Sequence, residues 1–142
     1  MAIPDFLRKG PLPSALALLV LALLLLWSQQ GEASPRPDPG PLDAQTSLQI
    51  LHSGTDIFLL DVRTEAEYAQ GHLPNAVLIP VDQLEKRLAE IPEDRPVLIV
   101  CRTGRRAAGA WDELHSLRPK QPMWYIRATP RYGADGSWTI ED

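Results

Sequence analysis

The chain has 142 residues, enough for one domain and a short extension. Its 14 Lys and Arg are outnumbered by 18 Asp and Glu, for a net charge of −4, and the basic cluster is confined to one loop, so nothing in the balance points to nucleic acid. The only cysteine, Cys101, excludes an internal disulfide and a dithiol mechanism within the chain.

Arg8 and Lys9 precede a run from Leu12 to Trp27 that is apolar apart from Pro13 and Ser14. Gly31-Glu32-Ala33 then offers small residues at both positions a signal peptidase reads. This is the pattern of a secretory signal over residues 1–33, cleaved after Ala33. The alternative is an uncleaved signal anchor, because the run is at the short edge for a membrane span. Either way the positive flank stays in the cytoplasm and the rest is exported. The expectation is a periplasmic domain, free or anchored in the inner membrane, whose only membrane contact is the N-terminal segment. Removing residues 1–33 takes away two acidic and two basic residues and leaves the net charge at −4. No cysteine lies near the end of the apolar run, which argues against a lipoprotein.

Residues 34–41, SPRPDPGP, read as a proline-rich linker. Asp43 is an N-cap candidate for a helix over Ala44 to His52, with Leu48 and Leu51 on one face and Ser53-Gly54 ending it. Ile57 to Leu60 is an apolar run followed by Asp61-Val62-Arg63, and Thr64 caps a short helix carrying Glu65, Glu67 and Tyr68. After the turn-rich stretch Gly71 to Ala76, Val77 to Ile79 forms another apolar run, stopped by Pro80. Val81 to Ile91 reads as an amphipathic helix with Leu84, Leu88 and Ile91 inward. Val97 to Val100, short and rich in β-branched residues, is a buried parallel strand, and Ala107, Ala110, Trp111, Leu114 and Leu117 follow at helical spacing. Met123 to Ile126 makes one more strand. Residues 128–142 show no period and read as an irregular tail, with at most a short strand at 138–140. Strands alternating with helices imply a mostly parallel sheet covered on both faces.

Cys101 lies between the buried strand and the next helix, where open α/β sheets place their chemistry. A lone cysteine closing a core strand is usually inert. Here Gly104 and the three arginines 102, 105 and 106 turn the reading to a reactive thiol, since loop amides, the helix dipole and guanidinium groups all favour an anion. That reading requires a thiol solvent can reach. An unpaired thiol in an oxidising compartment also calls for a reason.

Two stretches carry a resemblance. DVRTEAEYAQGHLPNAVLIP, Asp61 to Pro80, resembles the signature that precedes the active-site strand of rhodaneses, and VCRTGRR, Val100 to Arg106, resembles their active-site loop, C-x-x-G-x-R. The resemblance spans roughly Asp43 to Ile126 and implies a rhodanese-like domain over residues 42–127. Its fold would be a doubly wound, mostly parallel five-stranded sheet with helices on both faces. It implies that Cys101 takes a sulfane sulfur from a donor such as thiosulfate, releases sulfite, and passes the sulfur from a persulfide to cyanide or a thiol. Arg102, Thr103, Gly104, Arg105 and Arg106 would form the substrate-binding loop. The amides of residues 102 to 106 would cradle the anionic sulfur, Gly104 would let the backbone curl, Arg102 and Arg105 would attract the dianion, and Arg106 would brace the loop. Asp61 and Arg63 are expected as a structural brace. By family analogy Arg63 and Glu67 are partners and His72 belongs to the scaffold. No metal or organic cofactor is required, and a monomer is expected.

Rhodaneses commonly follow the last strand with a Gly-Gly turn and an amphipathic helix. Arg127-Ala128-Thr129-Pro130 stands there instead, leaving open that the tail folds over the Cys101 pocket. Competing functions are an exported sulfur carrier or binding module without efficient turnover, and a cysteine phosphatase or arsenate reductase. The last pair needs an arginine six positions after the cysteine to clamp phosphate oxygens, and Ala107 occupies that position.

Overall fold

The computed structural model describes residues 15–28 and 36–142. They belong to two units, one ending at Pro37 and one running from Asp38 to Asp142. In the first, helix α1 (Ala15–Ser28) covers most of the apolar run. It has 14 residues, and no helix among the described residues is long and apolar enough to cross a membrane. The basic flank at Arg8 and Lys9 and the cleavage stretch at Gly31 to Ala33 lie outside the described residues.

The second unit is built on β4 (Val97–Val100), whose four residues are all buried, as a strand covered on both faces demands. β2 (Phe58–Asp61) and β5 (Met123–Ile126) flank it, β3 (Val77–Leu78) pairs with β2, and β1 (Gly40–Leu42) pairs with β5. The order is β1-β5-β4-β2-β3, and every pairing is parallel. This is the doubly wound, mostly parallel five-stranded sheet that the resemblance implied. Asp61 is in register with Val100, so Val62, Arg63 and Cys101 leave the sheet at one carboxyl edge. Alternating residues divide the core between the faces. Val97 and Ile99 pack with Leu60, Val62 and the Ala107, Ala110 and Leu114 stripe of α4 (Arg105–Leu117). Leu98 and Val100 pack with Leu42, Leu59, Trp124, Ile126 and, from α2 (Ala44–His52), Leu48 and Leu51. Asp43 caps α2 by accepting the Thr46 N–H at 2.7 Å. Thr64 and Glu67 close a capping box on α3 (Glu65–Ala69).

Three segments differ from the sequence reading. Gly40 and Pro41 are not linker: they belong to β1, where Pro41 is tolerated because an edge strand leaves one side unpaired. Residues 81–91 form no continuous α-helix but two 3₁₀ turns, Val81–Gln83 and Leu88–Glu90. The segment is short, lies between Pro80 and Pro92, and begins tied to the sheet through the Val81 N–H on the Val62 carbonyl. Leu84 and Ile91 are still buried, so inward spacing alone did not separate the two conformations. Finally, the tail is ordered. β6 (Thr129–Tyr132) and β7 (Trp138–Glu141) form an antiparallel hairpin, with Pro130 opposite Ile140 and Tyr132 opposite Trp138. Gly136, at φ +82°, and Asp135, which accepts the Ser137 N–H, shape its turn. Ile140 is buried among Leu42, Trp124 and Ile126, and Asp142 accepts the Ala44 N–H at 3.0 Å.

Candidate active site

Helix α4 starts from Gly104, whose φ of +82° is left-handed. A Cβ there would lie 2.9 Å from both the Arg127 Cα and the Ile126 carbonyl oxygen, so backbone conformation and close approach both require glycine. Glycine has no side chain to cap the helix, and Cys101 does so instead. Its Sγ accepts the Gly104 N–H at 3.1 Å and the Ala107 N–H at 3.4 Å. The sulfur thus stands where an N-cap oxygen usually stands, at the positive end of the helix. The cradle differs from the expected run of amides 102 to 106: Gly104 belongs to that run, whereas the second amide comes from Ala107, in the first turn of the helix. The thiol is also buried, so the solvent access that the sequence reading required is not met in this conformation. Cys101 is 1% exposed, because capping α4 turns its sulfur inward onto the core.

The loop's arginines separate into two kinds. Arg102 and Arg105 are exposed, as is Thr103, and neither arginine has an ion-pair partner among the described residues. Arg106 is committed: its two terminal nitrogens each donate to a Glu67 carboxylate oxygen at 2.7 Å. This pairing raises the Arg106 pKa, and the same hydrogen bonds, outweighing burial and helped by Thr64, hold Glu67 down to about 2. The Glu67 carboxylate therefore belongs to Arg106, not to Arg63 as family analogy implied. Arg63 reaches only the backbone carbonyl of Glu67, at 3.4 Å.

Arg63 and Asp61 form a buried pair, 5% and 0% exposed, joined at 2.7 Å. Burial alone would lower the Arg63 pKa, but Asp61 outweighs it and the net shift is upward. Arg63 also donates to the Gly71 carbonyl at 2.7 Å, which ties the carboxyl edge of β2 to the turn after α3. His72 is exposed and stacks on Tyr68 at 3.8 Å, as part of the scaffold.

Sequence reasoning missed Tyr132. Its ring lies over the Arg63 guanidinium at 4.9 Å, and its hydroxyl is buried with no hydrogen-bond partner among the described residues. Leaving a buried hydroxyl unpaired costs about 1–3 kcal/mol. Burial pushes its pKa up to about 12, with Arg63 opposing and the charges of Asp61 and Cys101 adding to the rise. The aperiodic tail gave no sign that this residue would reach the site.

Residues 43–128 match the sequence profile of the Rhodanese-like domain, more than half of the chain. The chain belongs to the rhodanese-like family. A sulfurtransferase of Allochromatium vinosum is 42% identical over 66 residues, covering 46% of this chain and 62% of that protein, less than two thirds of its length. Among solved structures, a human single-domain sulfurtransferase is 28% identical with a TM-score of 0.53, covering 61% of this chain and 88% of its own. A rhodanese-like domain protein from Staphylococcus aureus is 26% identical with a TM-score of 0.53, covering 61% and 81%. In this rhodanese-like chain the family match ends at Ala128, one residue before β6, so the hairpin that supplies Tyr132 lies beyond it.

Proposed function

We propose that this domain moves a sulfane sulfur from thiosulfate, or a similar small anionic donor, to a thiol or cyanide through a persulfide on Cys101. The observation that carries the reading is the Cys101 sulfur at a strand-to-helix turn, facing the N–H groups of Gly104 and Ala107. The thiolate is the nucleophile, and the two amides and the positive helix end stand where its charge would lie. The thiolate attacks the outer sulfur of thiosulfate: a bond from Sγ to that sulfur forms, the S–S bond of thiosulfate breaks, and sulfite leaves with the electron pair. The acceptor then attacks the outer sulfur and returns the thiolate. Arg102 and Arg105 draw in the dianion, while Arg106, through Glu67, holds the loop. The domain works as a monomer outside the cytoplasm. Arg8 and Lys9, the apolar run and the small residues at 31 and 33 support its export.

The 1% exposure of Cys101 favours a second reading, an exported sulfur carrier or binding module without efficient turnover. Intact mass spectrometry after thiosulfate treatment separates the two, followed by cyanide and measurement of thiocyanate. Sulfur transfer gives a gain of one sulfur atom and thiocyanate, both lost in Cys101→Ser. A mass gain without thiocyanate leaves the carrier, and no mass gain refutes transfer and leaves the binding module.

A further inference from the structure

Arg127 directly follows β5, and its backbone is fixed between two neighbours. Its N–H donates to the Leu42 carbonyl at 2.8 Å, which ties it to β1. On the other side its Cα would lie 2.9 Å from a Cβ on Gly104, the residue whose N–H reaches the Cys101 sulfur at 3.1 Å. A single residue of the active loop therefore stands between Arg127 and the sulfur. The Arg127 side chain is exposed and makes no hydrogen bond or ion pair among the described residues, as is true of Arg102 and Arg105.

The carboxylates that could neutralise this edge are engaged elsewhere. Asp61 is joined to Arg63 and Glu67 to Arg106, each at 2.7 Å. Asp43 caps α2, and its pKa is lowered first by hydrogen bonds from Thr46 and least by the charge of Arg127. Three unpaired guanidinium groups thus gather at the carboxyl edge of the sheet, in a chain whose net charge is −4. Charges of one sign around a reactive group raise the local concentration of an oppositely charged reagent without touching it.

We propose that Arg127 completes, with Arg102 and Arg105, a cationic rim that admits anionic reagents to Cys101 in preference to neutral ones, and so sets the charge class of the sulfur donor. The inference rests on the sulfur-transfer reading above for the donor, whereas the charge selection belongs to the thiol and its rim. Arg127 acts through its field and needs no contact with the sulfur.

The test alkylates the full chain, Arg127→Gln and Arg127→Lys with iodoacetate and with iodoacetamide. Both reagents form the same Sγ–C bond and release iodide, and they differ by one negative charge, so their rate ratio separates charge selection from changes in the acidity or exposure of the thiol. At low ionic strength Arg127→Gln should lower the iodoacetate-to-iodoacetamide ratio about twofold, and Arg127→Lys should leave it unchanged. Sulfur loading from thiosulfate, followed by intact mass, should slow about fourfold in Arg127→Gln, because a dianion doubles the interaction energy. Both differences should vanish at about 0.5 M salt. An unchanged ratio, equal slowing with both alkylating reagents, or a difference that survives high salt overturns the proposal, and so does a Cys101 that iodoacetate never reaches. A ratio that shifts as expected in a chain that takes no sulfur from thiosulfate refutes the persulfide reading and supports the rim.

Discussion

Gly104→Ala perturbs the turn that aims an amide at the sulfur. The new Cβ would sit on a residue with φ +82°, where a left-handed conformation costs about 1–2 kcal/mol. It would also meet the Arg127 Cα and the Ile126 carbonyl at 2.9 Å, backbone atoms that cannot rotate aside as a side chain could. Overpacking of this kind costs about 1–3 kcal/mol, so the variant should lose about 2–5 kcal/mol of stability. The overlap is relieved by moving the loop away from β5, which lengthens the 3.1 Å bond from the Gly104 N–H to Sγ. Hydrogen bonds to charged groups contribute about 1.5–3 kcal/mol, so losing part of this one should slow iodoacetamide alkylation of Cys101 at pH 7 about tenfold. Urea unfolding measures the first effect, and alkylation followed by intact mass measures the second. Unchanged stability would refute the steric argument. Lower stability with unchanged alkylation would refute the role of the amide in activating the sulfur.

Glu67→Gln should flatten the acid side of the stability profile. A carboxyl whose pKa falls from 4.5 to about 2 in the fold stabilises fully above its unfolded value, and the contribution disappears as pH falls from about 4.5 to 2. The whole shift corresponds to about 3 kcal/mol, which solvent screening reduces to about 1–2 because the Arg106 and Glu67 side chains are 32% and 27% exposed. Urea midpoints between pH 2 and 7 should show the variant weaker at neutrality and less pH-dependent below 4.5; parallel acid limbs would count against the Arg106 pairing. Ile140→Ala should cost about 2–4 kcal/mol if the hairpin is part of the core, as its 4% exposure indicates. A change below about 0.5 kcal/mol in thermal or urea unfolding would mean that residues 129–141 only rest on the surface.

What the sequence disclosed depended on how local the determining contacts are. Val97 to Val100 is buried on both faces, so its composition alone marks a strand, and Asp43 and Thr64 cap helices through amides three residues away. Gly40 to Leu42 becomes a strand only because β5, more than eighty residues later, offers a free edge, and Pro41 hides that outcome. The hairpin shows the same limit: its alternation lasts four residues per strand, and Pro130 interrupts the signal. Cys101 and Gly104 were legible together because the loop is contiguous in the chain. Arg106 and Glu67 are 39 positions apart, so nothing local in the sequence corrected the family analogy that gave the carboxylate to Arg63. Ala107 contributes through its backbone, which leaves no mark on residue type.

The burial of Cys101 and its proposed reactivity have a common origin. Most helices take their N-cap bond from an oxygen with no other task, but α4 begins with a glycine and takes it from the atom proposed to react. Capping draws the sulfur inward to the Gly104 and Ala107 amides, the same two donors that the proposed reaction relies on. An outward-facing thiol would be easier to reach but would lose both amides. The two exposed arginines, Arg102 and Arg105, stand on the loop that holds this sulfur, where the small anionic donor proposed above would be drawn in.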